Sequence, residues 1–225
     1  MISEQFLRIR RLITHTSDVS FVLIATVPDH SDSRILEPES ERRNQDQDEG
    51  VLMELSFLYS IPRTGFLDAF FLFFTKLPGA YGQLWLAIGI VLLIFKKTRR
   101  TGIAVLISFA GVLLFGELLL KHVVSRMRPC QIDQAFALLV ERPASSSFPS
   151  THSAFAFGAA TAIFINYKKA GVAVLIAAAL IAFSRLYLFL HFPTDVLCGI
   201  ALGIVMGIAA VKLSDLLARK VQKEQ

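Results

Sequence analysis

The chain has little cysteine and little charge. Only Cys130 and Cys198 occur in 225 residues, with no CxxC pair, which argues against a disulfide framework and a cysteine-based metal site. Charged residues make up 18% against 54% hydrophobic, a balance unlike that of an ordinary soluble domain. No internal repeat is apparent. Val19–Val27 is apolar but too short to span a membrane, and no small-residue cleavage pattern follows it. It does not read as a secretory signal.

What is present is a series of long apolar runs: Ala80–Phe95, Gly102–Leu120, Ser153–Tyr167, Gly171–Leu190 and Thr194–Leu213. Each is about 15 to 20 residues, the length needed to cross a hydrocarbon core of about 30 Å. The runs predict an all-α, multi-pass transmembrane bundle with five spans. Residues 51–78 are apolar too but broken by Pro62, Arg63, Gly65, Asp68 and Lys76, which fits an interfacial helix or a short sixth span.

Charge divides the chain. Residues 1–50 carry six Arg against ten Asp and Glu, net −4, while residues 51–225 carry 17 basic against 8 acidic, net +9. The acidic, polar N-terminal stretch reads as an unstructured tail, residues 51–218 as the membrane-embedded part, and 219–225 as a basic C-terminal tail. The spans and the sequence features described below all lie beyond Met53, so residues 1–52 are expected to be dispensable or no part of the natural product. The basic residues sit in short clusters beside the apolar runs, an orientation signal and not a nucleic-acid surface. The clusters Lys96–Arg100, Tyr167–Gly171 and Ala218–Lys223 all fall on one face, predicted cytoplasmic. Lys121–Phe148 then lies outside, although Lys121, Arg126, Arg128 and Arg142 make it basic as well.

That exception coincides with a gathering of ionisable residues near the outer ends of the spans: Lys121, Arg128, His152, Arg185, His191 and Asp195. Charge at membrane depth is costly and faces a cavity or a partner. Three cations, two histidines and one carboxylate describe a phosphate pocket. Lys121 and Arg128 are seven apart, two helical turns, and are expected to look into one cavity before Pro129 stops the helix. Asp195, four residues after His191, is expected on Nδ1 of the imidazole, leaving Nε2 as a nucleophile. In "SFPSTHSA", residues 147–154, Ser150 and Thr151 open a helix and present backbone N–H groups. His152 is placed to protonate a leaving oxygen. Glu117, one turn before Lys121, is its expected partner. Taken alone, "SFPSTHSA" also reads as a plain helix start.

Lys121–Pro129 matches KxxxxxxRP, Pro149–His152 resembles PSGH, and Ser184–Asp195 matches SRxxxxxHxxxD. In this order the three motifs resemble those of the type 2 phosphatidic acid phosphatase family, which shares its site with vanadium haloperoxidases. The likeness in layout runs from about Phe57 to Leu217, and the N-terminal half-span is similar to that of small bacterial members. The resemblance implies a cell-membrane enzyme that dephosphorylates a lipid phosphate or diphosphate without metal or other cofactor, on the extracytoplasmic face. It implies His191 as the phosphohistidine, Asp195 as its orienting group and His152 as the acid. Lys121, Arg128, Ser150, Thr151 and Arg185 would hold the phosphoryl oxygens. Thr151 departs from the family glycine, and its Cβ is expected to crowd the phosphate. Undecaprenyl diphosphate, phosphatidic acid and phosphatidylglycerol phosphate all suit the reading, and the oligomeric state is open. An anionic-lipid transporter, a soluble haloperoxidase and a catalytically silent member are the alternatives. The apolar runs count against the second.

Overall fold

A computed structural model describes residues 39–79 and 82–223. Every regular element among them is helical. The chain divides into two compact units, residues 1–61 and 62–225.

The first unit contributes α1 (Glu39–Ser60). Residues 1–38, most of the expected tail, lie outside the described residues. Glu39–Gly50 is helical where composition suggests an unstructured segment, because Glu, Arg and Gln are strong helix formers even in a polar stretch.

The second unit opens with α2 (Gly65–Lys76). Thr64 caps it, its hydroxyl accepting from the Leu67 N–H at 3.3 Å, and Asp68 and Lys76 complement the dipole at either end. Its 12 residues are too few to span a bilayer alone. α3 (Gln83–Ile94) and α4 (Arg99–Val112) follow, and α4 runs on through a π-helical segment, Leu113–Leu120, into α5 (Lys121–Val124). Ser125 then turns left-handed at φ 47° and the one-turn α6 (Pro129–Ile132) begins. α7 (Thr151–Asn166), α8 (Lys168–Tyr187) and α9 (Pro193–Lys223) complete the unit.

Among the described residues, three helical stretches are long and apolar enough to cross a membrane, within Arg99–Ile132, Lys168–Tyr187 and Pro193–Lys220. The runs predicted as the first and third spans form shorter helices, α3 with 12 residues and α7 with 16. Gly79 and Gly82, both at positive φ, flank the start of the first run and delay its helix to Gln83. Tyr167 leaves helical geometry at the end of the other.

α7 is the centre of the core. Ala154, Ala156, Ala159, Ala160 and Ala162 are all buried, and the helix packs against α8, α9 and α4. Small residues let the backbones approach closely. A Cβ at Gly199 of α9 would stand 2.4 Å from the Ser150 carbonyl oxygen. This contact sets the start of α9 against the start of α7.

The shared helical face expected for Lys121 and Arg128 is not what forms. The helix ends at Val124, and Arg128 is extended (φ −85°, ψ 154°) ahead of Pro129. Proline disfavours helix in the residue before it.

Candidate active site

His191 lies in the tight link between α8 and α9. Three backbone bonds close this link onto the last turn of α8, from Leu188 to Ser184, Phe189 to Leu186 and Leu190 to Arg185. Phe189 takes φ 60° there, and its buried ring stacks on Phe136 at 4.0 Å. The imidazole is 2% exposed. Arg128 Nη1 donates to its Nε2 at 2.9 Å, and Nδ1 stands 2.7 Å from the Ser147 carbonyl oxygen. A guanidinium can only donate, so Nε2 carries the lone pair and Nδ1 the proton. Burial, then the adjacent Arg128 charge, hold His191 well below the ordinary histidine range, against the pull of Asp195.

Arg128 bridges this link to the loop before α7. Nε donates to the Ser145 carbonyl at 2.7 Å, Nη2 to the Ser145 hydroxyl and the Ser146 carbonyl at 3.0 Å each, and Nη1 to the Leu190 carbonyl at 2.9 Å. With His191, each of the five N–H groups of the guanidinium has a partner. Any further acceptor at this guanidinium therefore competes with a bond already made.

Asp195 is fully buried, and its direct bond to His191 is not present. Oδ2 lies 3.8 Å from Nδ1, and the Ser147 carbonyl takes that proton instead. The carboxylate accepts from Arg126 Nη1 at 2.6 Å, from the Ser147 hydroxyl at 2.5 Å and from the Phe192 N–H at 2.9 Å. The last bond caps α9, since Asp195 is its third residue and Phe192 precedes Pro193. These partners draw the carboxylate to the helix start and away from the ring. Ser147 joins the two groups, and its own N–H donates to the Arg126 carbonyl at 2.8 Å.

The other expected residues surround this centre. Lys121 is 9% exposed and pairs with Glu117 at 2.7 Å, as the i, i+4 spacing predicts. Arg185 is buried; Nη1 donates to the Thr75 hydroxyl, and Nε has no partner among the described residues. Ser150 precedes α7, but its N–H is bound to the Asp195 carbonyl at 3.0 Å and its hydroxyl to Ser153 at 2.9 Å. Neither is free without rearrangement. Thr151 is the first residue of α7 and needs no positive φ. Its methyl lies toward Gly116 of the π-helical segment, where an added Cβ would meet it at 3.3 Å. Glycine at one position makes room for threonine at the other.

Lys121 and Arg185 open onto two different cavities, neither of them lined by Arg128 or His191. One, of about 360 Å³, is lined by Glu117, Lys121, Arg126, Ser145 and Ser146. The second, of about 560 Å³, is lined by Thr75, Lys76, Gly79, Glu141, His152 and Arg185. The single pocket expected from the sequence is thus divided, and the segment Leu139–Ser146 lines both parts. Arg126 and Ser147 are the residues sequence reasoning missed. Arg126 carried a signal, as one of the cations that made an outer loop basic. Ser147 acts in part through a peptide carbonyl and carried none.

The family profile described as PAP2 superfamily matches residues 101–218, which include every one of these motif residues. The chain belongs to the PAP2 superfamily. It is 31% identical over 76% of its length to the undecaprenyl-diphosphatase of Sulfolobus acidocaldarius, covering 82% of that protein. Among solved structures it is similar to LpxE of Aquifex aeolicus, with a TM-score of 0.52, 28% identity and coverage of 72% of this chain and 94% of the other. The fold is also that of a transmembrane PAP2 type phosphatidylglycerolphosphate phosphatase from Bacillus subtilis. There the TM-score is 0.58 at 23% identity, over 95% of this chain and 96% of the other. The PAP2 motifs and the membrane-suited helices of this chain occur in one molecule, so the sequence resemblance and the fold agree.

Proposed function

We propose that this protein is an integral membrane phosphatase that removes phosphate from a lipid phosphate or diphosphate through a phosphohistidine at His191. The observation that carries the reading is the His191 ring. Its tautomer is fixed by Ser147, and its Nε2 lone pair faces a guanidinium that already marks where an anion would sit.

The Nε2 lone pair attacks phosphorus and the bond to the lipid oxygen breaks. Arg128 Nη1 transfers its hydrogen bond from the ring to a phosphoryl oxygen, and Lys121 and Arg185 bind the others. His152, in the larger cavity, gives its proton to the leaving oxygen. The imidazolium that results is balanced by Asp195 at 3.8 Å, which Arg126 and Ser147 hold in place. Water, deprotonated by His152, then releases inorganic phosphate and restores the ring. Among the described residues no three His, Cys, Asp or Glu side chains converge as a metal-ligand set, and three cations supply the charge that a metal would bring. On this reading the chemistry is metal-independent.

The membrane part, residues 51–218, crosses the bilayer five times on this reading, the first crossing being the apolar run 80–95, which is longer than the helix α3 within it, and the site opens outside the cytoplasm. The positive clusters support that orientation. The test of function is phosphate release by the purified protein from a panel of lipid mono- and diphosphates, with EDTA and with vanadate. Turnover that survives chelation and is inhibited by vanadate supports the reading. Loss on chelation with recovery on added Mg²⁺ contradicts it.

A further inference from the structure

The larger cavity continues past the chemistry. His152 marks where the leaving oxygen departs, and the same wall carries Lys76, an exposed cation at the last turn of α2. A leaving group that is a lipid alcohol has no charge for Lys76 to meet. One that is itself a phosphate monoester does. Beyond Lys76 an apolar groove of about 460 Å³ runs along α2, lined by Ala69, Leu72, Phe73 and Leu77, with Lys76 shared between groove and cavity. Positions 69, 72, 73 and 76 follow i, i+3, i+4 and i+7 spacing, a single stripe on one helix face. Phe73 is 59% exposed, so the stripe is open along its length.

The order along this path is acid, second cation, apolar stripe. It matches the order of groups in a lipid diphosphate beyond its terminal phosphate: bridging oxygen, inner phosphate, chain. We infer that Lys76 and the α2 stripe form a subsite for the inner phosphate and chain of a lipid diphosphate, which makes Lys76 a specificity-determining residue. The inference rests on the phosphatase reading above. In the reaction His191 takes the terminal phosphoryl group, the bond from phosphorus to the bridging oxygen breaks, and His152 protonates that oxygen. The lipid monophosphate leaves with its remaining charge against Lys76. Glu141 is the carboxylate on the same wall. It opposes the inner phosphate and keeps the subsite from holding the product too tightly.

Lys76 also has an ordinary role, since a cation in the last helical turn complements the dipole. The experiment separates the two. Full-length protein in lipid nanodiscs is assayed on a diphosphate and a monophosphate of the same lipid chain, and the ratio of the two kcat/KM values is read. Lys76→Gln should lower that ratio about tenfold, the order of one charge-assisted hydrogen bond. Lys76→Arg, which keeps the charge, should retain it. A ratio unchanged in Lys76→Gln, whether both activities fall together or neither does, overturns the subsite while leaving the phosphatase reading intact. A wild-type protein that releases phosphate from neither lipid overturns both.

Discussion

The Ser147 hydroxyl donates to Asp195 at 2.5 Å while its carbonyl oxygen lies 2.7 Å from His191 Nδ1. One residue therefore links the position of the carboxylate to that of the imidazole. Arg126 holds the carboxylate from the other side at 2.6 Å, with its guanidinium 4.2 Å from the Phe192 ring.

Arg126→Gln should lower kcat by about tenfold or more, since a charge-assisted bond to a buried carboxylate is worth about 1.5–3 kcal/mol. Arg126→Lys should recover part of the loss. Because neither side chain is placed on the substrate, KM should change less than kcat. Steady-state kinetics on a lipid monophosphate reads the split, and a loss confined to KM would instead put Arg126 on the substrate.

The direction of the His191 shift has a sign that can be measured. Its folded pKa lies below the ordinary value of about 6.5, so the unfolded chain binds the extra proton first as pH falls. Stability from this group is fully present above about pH 6.5 and declines as pH drops toward the folded value. Thermal melting in detergent across pH 7 to 4 should show that decline, and His191→Gln should flatten it. For the same reason the acid limb of kcat/KM assigned to His191 should lie well below pH 6.5.

Gly199→Ala places a methyl 2.4 Å from the Ser150 carbonyl, where only backbone can give way. The expected cost is about 1–3 kcal/mol, read as a lowered melting temperature. Activity should fall as well, since α9 carries Asp195 and α7 carries His152.

Orientation is tested by thiol labelling. Glu141 and Lys97 are both exposed, on opposite sides of the proposed membrane. With Cys130 and Cys198 replaced, a cysteine at 141 should react with an impermeant reagent added outside intact cells, and one at 97 should not. The reverse pattern would invert the topology.

The sequence made much of this site legible because its chemistry is concentrated in side chains at fixed spacing. The i, i+4 pair of Glu117 and Lys121 forms as expected, and Pro193 starts α9. Spacing misled where the backbone left helical geometry. Seven residues from Lys121 to Arg128 looked like two turns, but Ser125 is left-handed and Arg128 extended. The orienting partner of His191 is a peptide carbonyl, which no residue type announces. The width of the outer site was equally hidden, because two cavities share a loop that sequence treats as one segment.

The central claim is the nucleophile. Purified protein mixed with a lipid monophosphate carrying labelled phosphate, then quenched in alkali, should hold an acid-labile phosphoryl group, and peptide mapping should place it on His191. His191→Ala should carry no label and no activity, whereas His152→Ala should slow its formation by about 10²–10⁴-fold, most for poor leaving groups. A phosphoenzyme that forms normally in His191→Ala contradicts the account.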